Sequence, residues 1–287
     1  MNRALLVGIN TYPDSPLRGC VNDVEDMSDF LVARCGFVES DIRLLTDKRA
    51  TTGAIMERLR WLIKGARAGD RLFFHYSGHG VQLTTRDPSG EVDGLDEAIC
   101  PVDFDWSDEH AIRDKDFARL FKAIPKGVKF IWVSDSCHSG DLTREPSRPG
   151  KAIPRNRTPP VCNPAIRWIG MPADMAWRVR TAATLHITPG TLARAVRGLN
   201  LALITGCRSD QTSADAFFSG RFNGALTYML LKGLRARDGL SAPLKTIVPR
   251  VRGMLKKAGF SQEPQLEGNA DLHRTPFLAT GSGAGQK

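Results

Sequence analysis

DRLFFHYSGHG, residues 70–80, is an apolar run of strand length that ends in a histidine held between two glycines. The stretch Leu72–Tyr76 does not alternate with polar residues, the pattern of a strand covered on both faces, as in a parallel sheet. Glycine adds little to a core. Gly78 and Gly80 instead let the backbone approach something closely, and they leave the His79 imidazole at a strand tip. Outward from this stretch, similar runs alternate with helical patterns. RALLVGIN (3–10), DIRLLTD (41–47), VKFIWVSDSC (128–137) and LNLALITGC (199–207) read as strands, and PFLA (276–279) as an edge strand. Helical spacing covers 21–36, stopped by Gly36, then 51–66, capped by Thr51 or Thr52, then 114–124, 223–236 and 244–259. Pro249 should kink the last helix or mark its start. The alternation predicts an α/β fold, a mostly parallel β-sheet flanked by helices on both faces. Ligands of such sheets sit beyond the carboxyl ends of the strands, so His79 and Cys137 are expected on one rim.

The bulk numbers narrow the function classes. A hydrophobic content of 41% and a charged content of 25% are ordinary for a globular chain of 287 residues. The formal net charge of +9 raises nucleic-acid binding. Its distribution argues against that: many basic groups fall in 144–180 among Pro149, Pro154, Pro159, Pro160 and Pro164, a loop composition. Six cysteines lack C-x-x-C spacing, which removes a zinc site and suits a reducing cytoplasm. The apolar start of MNRALLVGIN is too short for a signal peptide, and no run of about 18 apolar residues predicts a membrane span. Residues 141–198 break the strand–helix rhythm and read as a long, partly disordered insertion.

SDSCHSGD (134–141) is the second unusual stretch. Cys137 follows an apolar strand inside a turn of small polar residues, whereas a structural cysteine belongs within the run. A thiol must become a thiolate to attack a carbonyl, and an imidazole at the neighbouring strand tip can lower its pKa or take its proton. The pair has the arrangement of an acyl-transfer dyad. The Gly80 N–H, unobstructed by a side chain, and the Cys137 N–H then form an oxyanion hole.

With these pieces the chain resembles a metacaspase, a caspase-like cysteine peptidase of the prokaryotic type. ALLVGINTYP (4–13), LRGCVNDV (17–24), HYSGHG (75–80), DGLDEAICPVDF (93–104), DSCHSGD (135–141), GCRSDQTS (206–213), GALTY (224–228) and QEPQLEG (262–268) follow the family's order over nearly the whole chain. The resemblance implies a caspase-like three-layer sandwich and one peptidase domain over 1–280. Within it, 1–143 is large-subunit-like, 144–198 a basic insertion and 199–280 small-subunit-like, with 281–287 a flexible tail. It assigns His79 as general base and Cys137 as nucleophile, with His138 turned away. It implies cleavage after Arg or Lys, selected by Asp23, Ser77 and Asp135. A period of two agrees, putting Asp135 on the face of Cys137 and Ser77 on that of His79. Asp23 also fits a helix N-terminal acid.

The resemblance further implies calcium held by carboxylates. Asp96 and Asp114 match two of four ligand positions, but Lys115 and Arg144 stand at the others, where cations would repel the ion. Calcium dependence is therefore expected to be weak or lost. Asp93, Asp96 and Glu97 read equally well as a solvated acidic turn. Self-cleavage is implied in the insertion, with Arg144, Arg148, Lys151, Arg155 and Arg157 as candidates. Expected partners are peptides or proteins with Arg or Lys before the cut, with no nucleic acid, no membrane and a monomeric chain. Two other readings stand beside this one: a caspase-fold scaffold or signalling module with little peptidase activity, and a hydrolase of another acyl bond.

Overall fold

The structure is a computed structural model that describes residues 1–84, 95–137, 165–167, 169, 192, 195–208, 211 and 213–278. Its centre is a six-stranded sheet of β1 (Asn2–Gly8), β2 (Ile42–Thr46), β3 (Arg71–Ser77), β7 (Lys129–Asp135), β9 (Ala202–Thr205) and β12 (Gln265–Gly268). The order is β12-β9-β7-β3-β1-β2, parallel throughout except for β12. Strands from both sides of the basic insertion therefore share one sheet.

Side-chain alternation sorts the apolar runs onto two faces. Leu5, Val7, Leu72, Phe74, Phe130, Trp132 and Leu203 enter one core. Ala4, Leu6, Phe73, Ile131, Val133, Ala202 and Ile204 enter the other. Helix α2 (Thr52–Ile63) covers the first core with Ile55, Leu59 and Leu62, and α3 (Asp114–Phe121) with Phe117 and Phe121. Helix α1 (Cys20–Cys35), α4 (Ala225–Arg235) and α5 (Leu244–Lys257) cover the second through Val24, Met27, Leu230, Ile247 and Val251. The result is the expected α/β sandwich of three layers.

Two small sheets were not legible in the apolar pattern. One joins β4 (Gly80–Thr84), β5 (Leu95–Ile99) and β6 (Ile112–Arg113). The other joins β8 (Ala165–Ile166), β10 (Ala214–Phe218) and β11 (Arg221–Gly224), directly before α4. The expected edge strand at 276–279 is corrected. Pro276 makes one isolated bridge to Pro243, and Phe277 and Leu278 are buried plugs under the second core, while the edge belongs to β12. Pro249 lies inside α5, which starts at Leu244 and neither stops nor restarts there.

Candidate active site

The rim is built where β3 and β7 end side by side. Their register pairs Ser77 with Asp135, and both residues are fully buried. Both share the sheet face of Phe73, Ile131 and Val133, which is covered by α1 and α4. Asp23, in the first turn of α1, and Thr227, near the start of α4, meet them there. Ser77 Oγ donates to Asp23 Oδ2 at 2.7 Å. Asp135 Oδ2 accepts from the Thr227 N–H at 2.9 Å and its hydroxyl at 2.7 Å, and Asp135 Oδ1 from Ser213 Oγ at 2.7 Å. The Thr227 hydroxyl is thus committed to Asp135, so it accepts from His75 Nε2 at 3.2 Å. Burial lowers the His75 pKa to about 4 and keeps that imidazole neutral.

A guanidinium fills the space between these carboxylates. Arg167, at the end of β8, is completely buried. Its Nη2 donates to Asp23 Oδ2 at 2.8 Å and to Asp215 Oδ1 at 2.9 Å. Its Nη1 donates to Ser77 Oγ at 2.6 Å and lies 3.5 Å from Asp135 Oδ1. Burial raises the Asp23 pKa to about 6 even though Arg167 pulls it down. Without a cation this cluster would be strained. Gly224 is the wall behind the guanidinium: a Cβ there would overlap Asp135 Oδ2 and sit 2.6 Å from Arg167 Nη1.

The other end of Arg167 lies at the proposed reaction centre. Its carbonyl oxygen accepts from the Gly80 N–H and the Cys137 N–H, each at 3.2 Å. These are the two donors expected for an oxyanion hole, and both sit on one carbonyl. His79 Nε2 lies 2.6 Å from the Ser15 carbonyl, which fixes Nε2 as the protonated nitrogen and leaves Nδ1 bare. Nδ1 is buried without a hydrogen-bond partner. Burial lowers the His79 pKa to about 4, with the Ser15 contact opposing it, so the ring is a neutral base at pH 7. Tyr12 packs edge-on at 4.5 Å between ring centroids, and Tyr76 Oη donates to the His79 carbonyl at 2.6 Å. These tyrosines explain Gly78, where a Cβ would lie 2.6 Å from both hydroxyls.

The Cys137 sulfur accepts from the Ser213 N–H and lies 3.6 Å from the Cys207 sulfur. No hydrogen bond joins it directly to His79; the two residues meet around the Arg167 carbonyl.

The structure therefore brings together His79, Gly80, Cys137, Asp23, Ser77 and Asp135. Asp96 and Asp114 lie elsewhere. Asp96 is buried on β5, with Lys115 Nζ 2.9 Å from Oδ1 and Arg113 Nη1 2.8 Å from Oδ2. Asp114 starts α3 and accepts from the Lys115 N–H at 2.7 Å. Calcium needs six to eight oxygen ligands, and a carboxylate already holding two cations does not fit that set. Among the described residues no group of three or more His, Cys, Asp or Glu could hold a metal. The solvated-turn reading is corrected for Asp96 and Glu97, which are both buried. Asp93, His138, Arg144, Arg148, Lys151, Arg155 and Arg157 lie outside the described residues.

Sequence reasoning missed Asp215, Arg167, Gly224 and the Ser15 carbonyl. Ser213 and Asp215 share the two-residue spacing of Ser77 and His79, which was the available signal for Asp215. A backbone carbonyl carries no side-chain signal at all.

A family profile described as "Metacaspase, peptidase C14 domain" matches residues 2–146. Metacaspase-1 of Scheffersomyces stipitis is 36% identical over 92% of this chain and 70% of its own length. Metacaspase-1 of Ajellomyces capsulatus is 32% identical over 92% of this chain and 78% of its own. The crystal structure of protein GSU0716 from Geobacter sulfurreducens shares the fold, with a TM-score of 0.65 at 23% identity, over 97% of this chain and 98% of that one. With a family profile covering half its length and relatives above 30% identity covering most of it, the chain belongs to the metacaspases, cysteine-type endopeptidases of the C14 class.

Proposed function

We propose that this peptidase cleaves after arginine, and less efficiently after lysine, through a Cys137–His79 dyad and a thioester. The observation that carries this is Arg167 itself. A guanidinium sits among Asp23, Asp135 and Asp215 while the carbonyl of the same residue accepts from Gly80 N–H and Cys137 N–H. Planar, multiply bonded recognition favours Arg over the point charge of Lys. In the reaction His79 Nδ1 takes the Cys137 thiol proton as sulfur attacks the carbonyl carbon. The imidazolium then gives that proton to the departing amine, and water releases the acyl group. The same centre is proposed to process the 144–198 segment of its own chain, which is tethered beside it.

Calcium dependence is proposed to be weak or lost, a reading supported by the pairing of Asp96 with Lys115 and Arg113. A reducing, cytoplasmic setting suits the described cysteines, all of them free. Among the described residues no helix is long and apolar enough to cross a membrane. A single chain is the proposed working form, since the site is complete within it.

The test is a panel of fluorogenic peptides with Arg, Lys, Gln or Asp before the bond, assayed with calcium and with chelator. Arg should exceed Gln by about a hundredfold or more in kcat/KM, the scale of a desolvated charge pair. Asp should not be cut, and calcium should change rates less than about twofold. Efficient cleavage after Gln or Asp would sink the specificity, and strict calcium dependence would sink the account of Asp96.

Gly224→Ala offers an independent check of the pocket. The added methyl occupies the guanidinium's seat, so KM for Arg peptides should rise about tenfold or more, matching the roughly 1–3 kcal/mol cost of overpacking. Alkylation of Cys137 by a small electrophile should be unchanged. Initial-rate kinetics on both reactions decide it, and an unaltered KM would refute the placement.

A further inference from the structure

The geometry points to one more assignment, which rests on the peptidase reading above: Ala165–Arg167 is a tethered substrate, and the bond from Arg167 to Trp168 is the self-processing site. Until that bond is cut and the segment leaves, the segment blocks other substrates.

The backbone is held on both sides of Arg167 in the manner of an added strand. Ala165 and Ile166 pair antiparallel with Asp215 and Ala214 of β10. The Arg167 N–H donates to the Ser213 carbonyl at 3.1 Å. Its carbonyl oxygen accepts from Gly80 N–H and Cys137 N–H, and beyond the bond the Ile169 N–H reaches the Gly80 carbonyl at 3.4 Å. Among Ala165–Arg167 only the arginine enters the protein. Ala165 and Ile166 are exposed, with Ile166 at 44%, whereas Arg167 is at 0%. A core segment would bury its isoleucine and expose its arginine. The reverse is what a peptide shows when docked by one side chain in a charged pocket.

The basic residues expected from composition, Arg144, Arg148, Lys151, Arg155 and Arg157, lie outside the described residues. Arg167 lies beyond them, at the place where its own carbonyl meets both N–H donors. The chemistry closes without an external oxidant or cofactor. Cys137 sulfur bonds to the Arg167 carbonyl carbon, the bond to the Trp168 nitrogen breaks, and the thiol proton passes through His79 to that nitrogen. Water then adds to the thioester, leaving a carboxyl group on Arg167 and restoring the thiol. While the segment is seated, its effective concentration is of millimolar order, so a free arginine peptide competes poorly.

Two measurements test this. Wild-type protein is incubated and its fragments are read by mass spectrometry. Chains 1–167 and 168–287 are expected, with Trp168 as the new N-terminus. Arg167→Lys should still be cut there, and Arg167→Ala should not. Separately, binding of a fluorescent Arg peptide is compared between Cys137→Ala and Cys137→Ala/Arg167→Ala, both checked for native circular dichroism. The double variant should bind about tenfold tighter or better, because its pocket is vacant. Arg167→Lys in the same background keeps a cation among the carboxylates and should bind the peptide as weakly as Cys137→Ala.

Equal binding by the two inactive variants, or processing of the wild type only at other bonds, overturns the assignment. If wild type cuts Arg peptides without delay while intact at Arg167, the assignment fails and the peptidase reading stands. If neither wild type nor Arg167→Ala cuts any Arg peptide, the peptidase reading falls and the processing site with it.

Discussion

Cys137→Ala is expected to remove peptide cleavage by four to six orders of magnitude, the usual cost of deleting a nucleophile when its partners act as a unit. The substitution deletes one buried sulfur that accepts from the Ser213 N–H, donates to the Ser213 carbonyl at 3.7 Å and touches Cys207. It leaves the Cys137 N–H, one of the two donors on the Arg167 carbonyl, in place. Folding should therefore change by about 1 kcal/mol or less, while turnover vanishes and the chain accumulates uncut. Turnover of fluorogenic Arg peptides, thermal denaturation and an intact-mass measurement check the three parts. Wild-type turnover in this variant would mean that another group forms the acyl-enzyme. The unpartnered Nδ1 of His79 offers no alternative, because a neutral imidazole held at Nε2 by Ser15 is placed to move a proton.

Asp135→Asn should separate substrate selection from chemistry. Asp135 is fully buried, accepts from Thr227 and Ser213, and lies 3.5 Å from the Arg167 guanidinium. Removing one partner of a buried ion pair costs roughly 3–5 kcal/mol. Asp23 and Asp215 remain, so kcat/KM for Arg peptides should fall by about a hundred- to a thousandfold, toward the lower part of that range. Alkylation of Cys137 by a small neutral electrophile should hold within a few fold. That split decides the role. An equal loss of both would show that Asp135 maintains the strand ends rather than reads the substrate.

Local pattern carried a definite share of this molecule. The four parallel strands outside β2, their helices and the shared rim follow from continuous apolar runs, because a strand covered on both faces must be apolar at every position. His79 and Cys137 stand out because each follows such a run with small residues instead of continuing it. Register then delivers Ser77 opposite Asp135, since both strands are parallel and end together. The two small sheets escaped because β6 and β8 are two residues long, too short for any periodicity.

What composition and spacing determined was the kind of sheet and the pair of residues at its rim; the acids next to them were implied by the family resemblance, with a period of two agreeing for Ser77 and Asp135. The tertiary structure alone decided that Asp215 joins those acids, that the Ser15 carbonyl orients the imidazole, and that among many basic residues Arg167 is the one seated. Each of these is a meeting between segments remote in sequence, set by chain path and charge pairing. Periodicity reports only which side of one element faces inward.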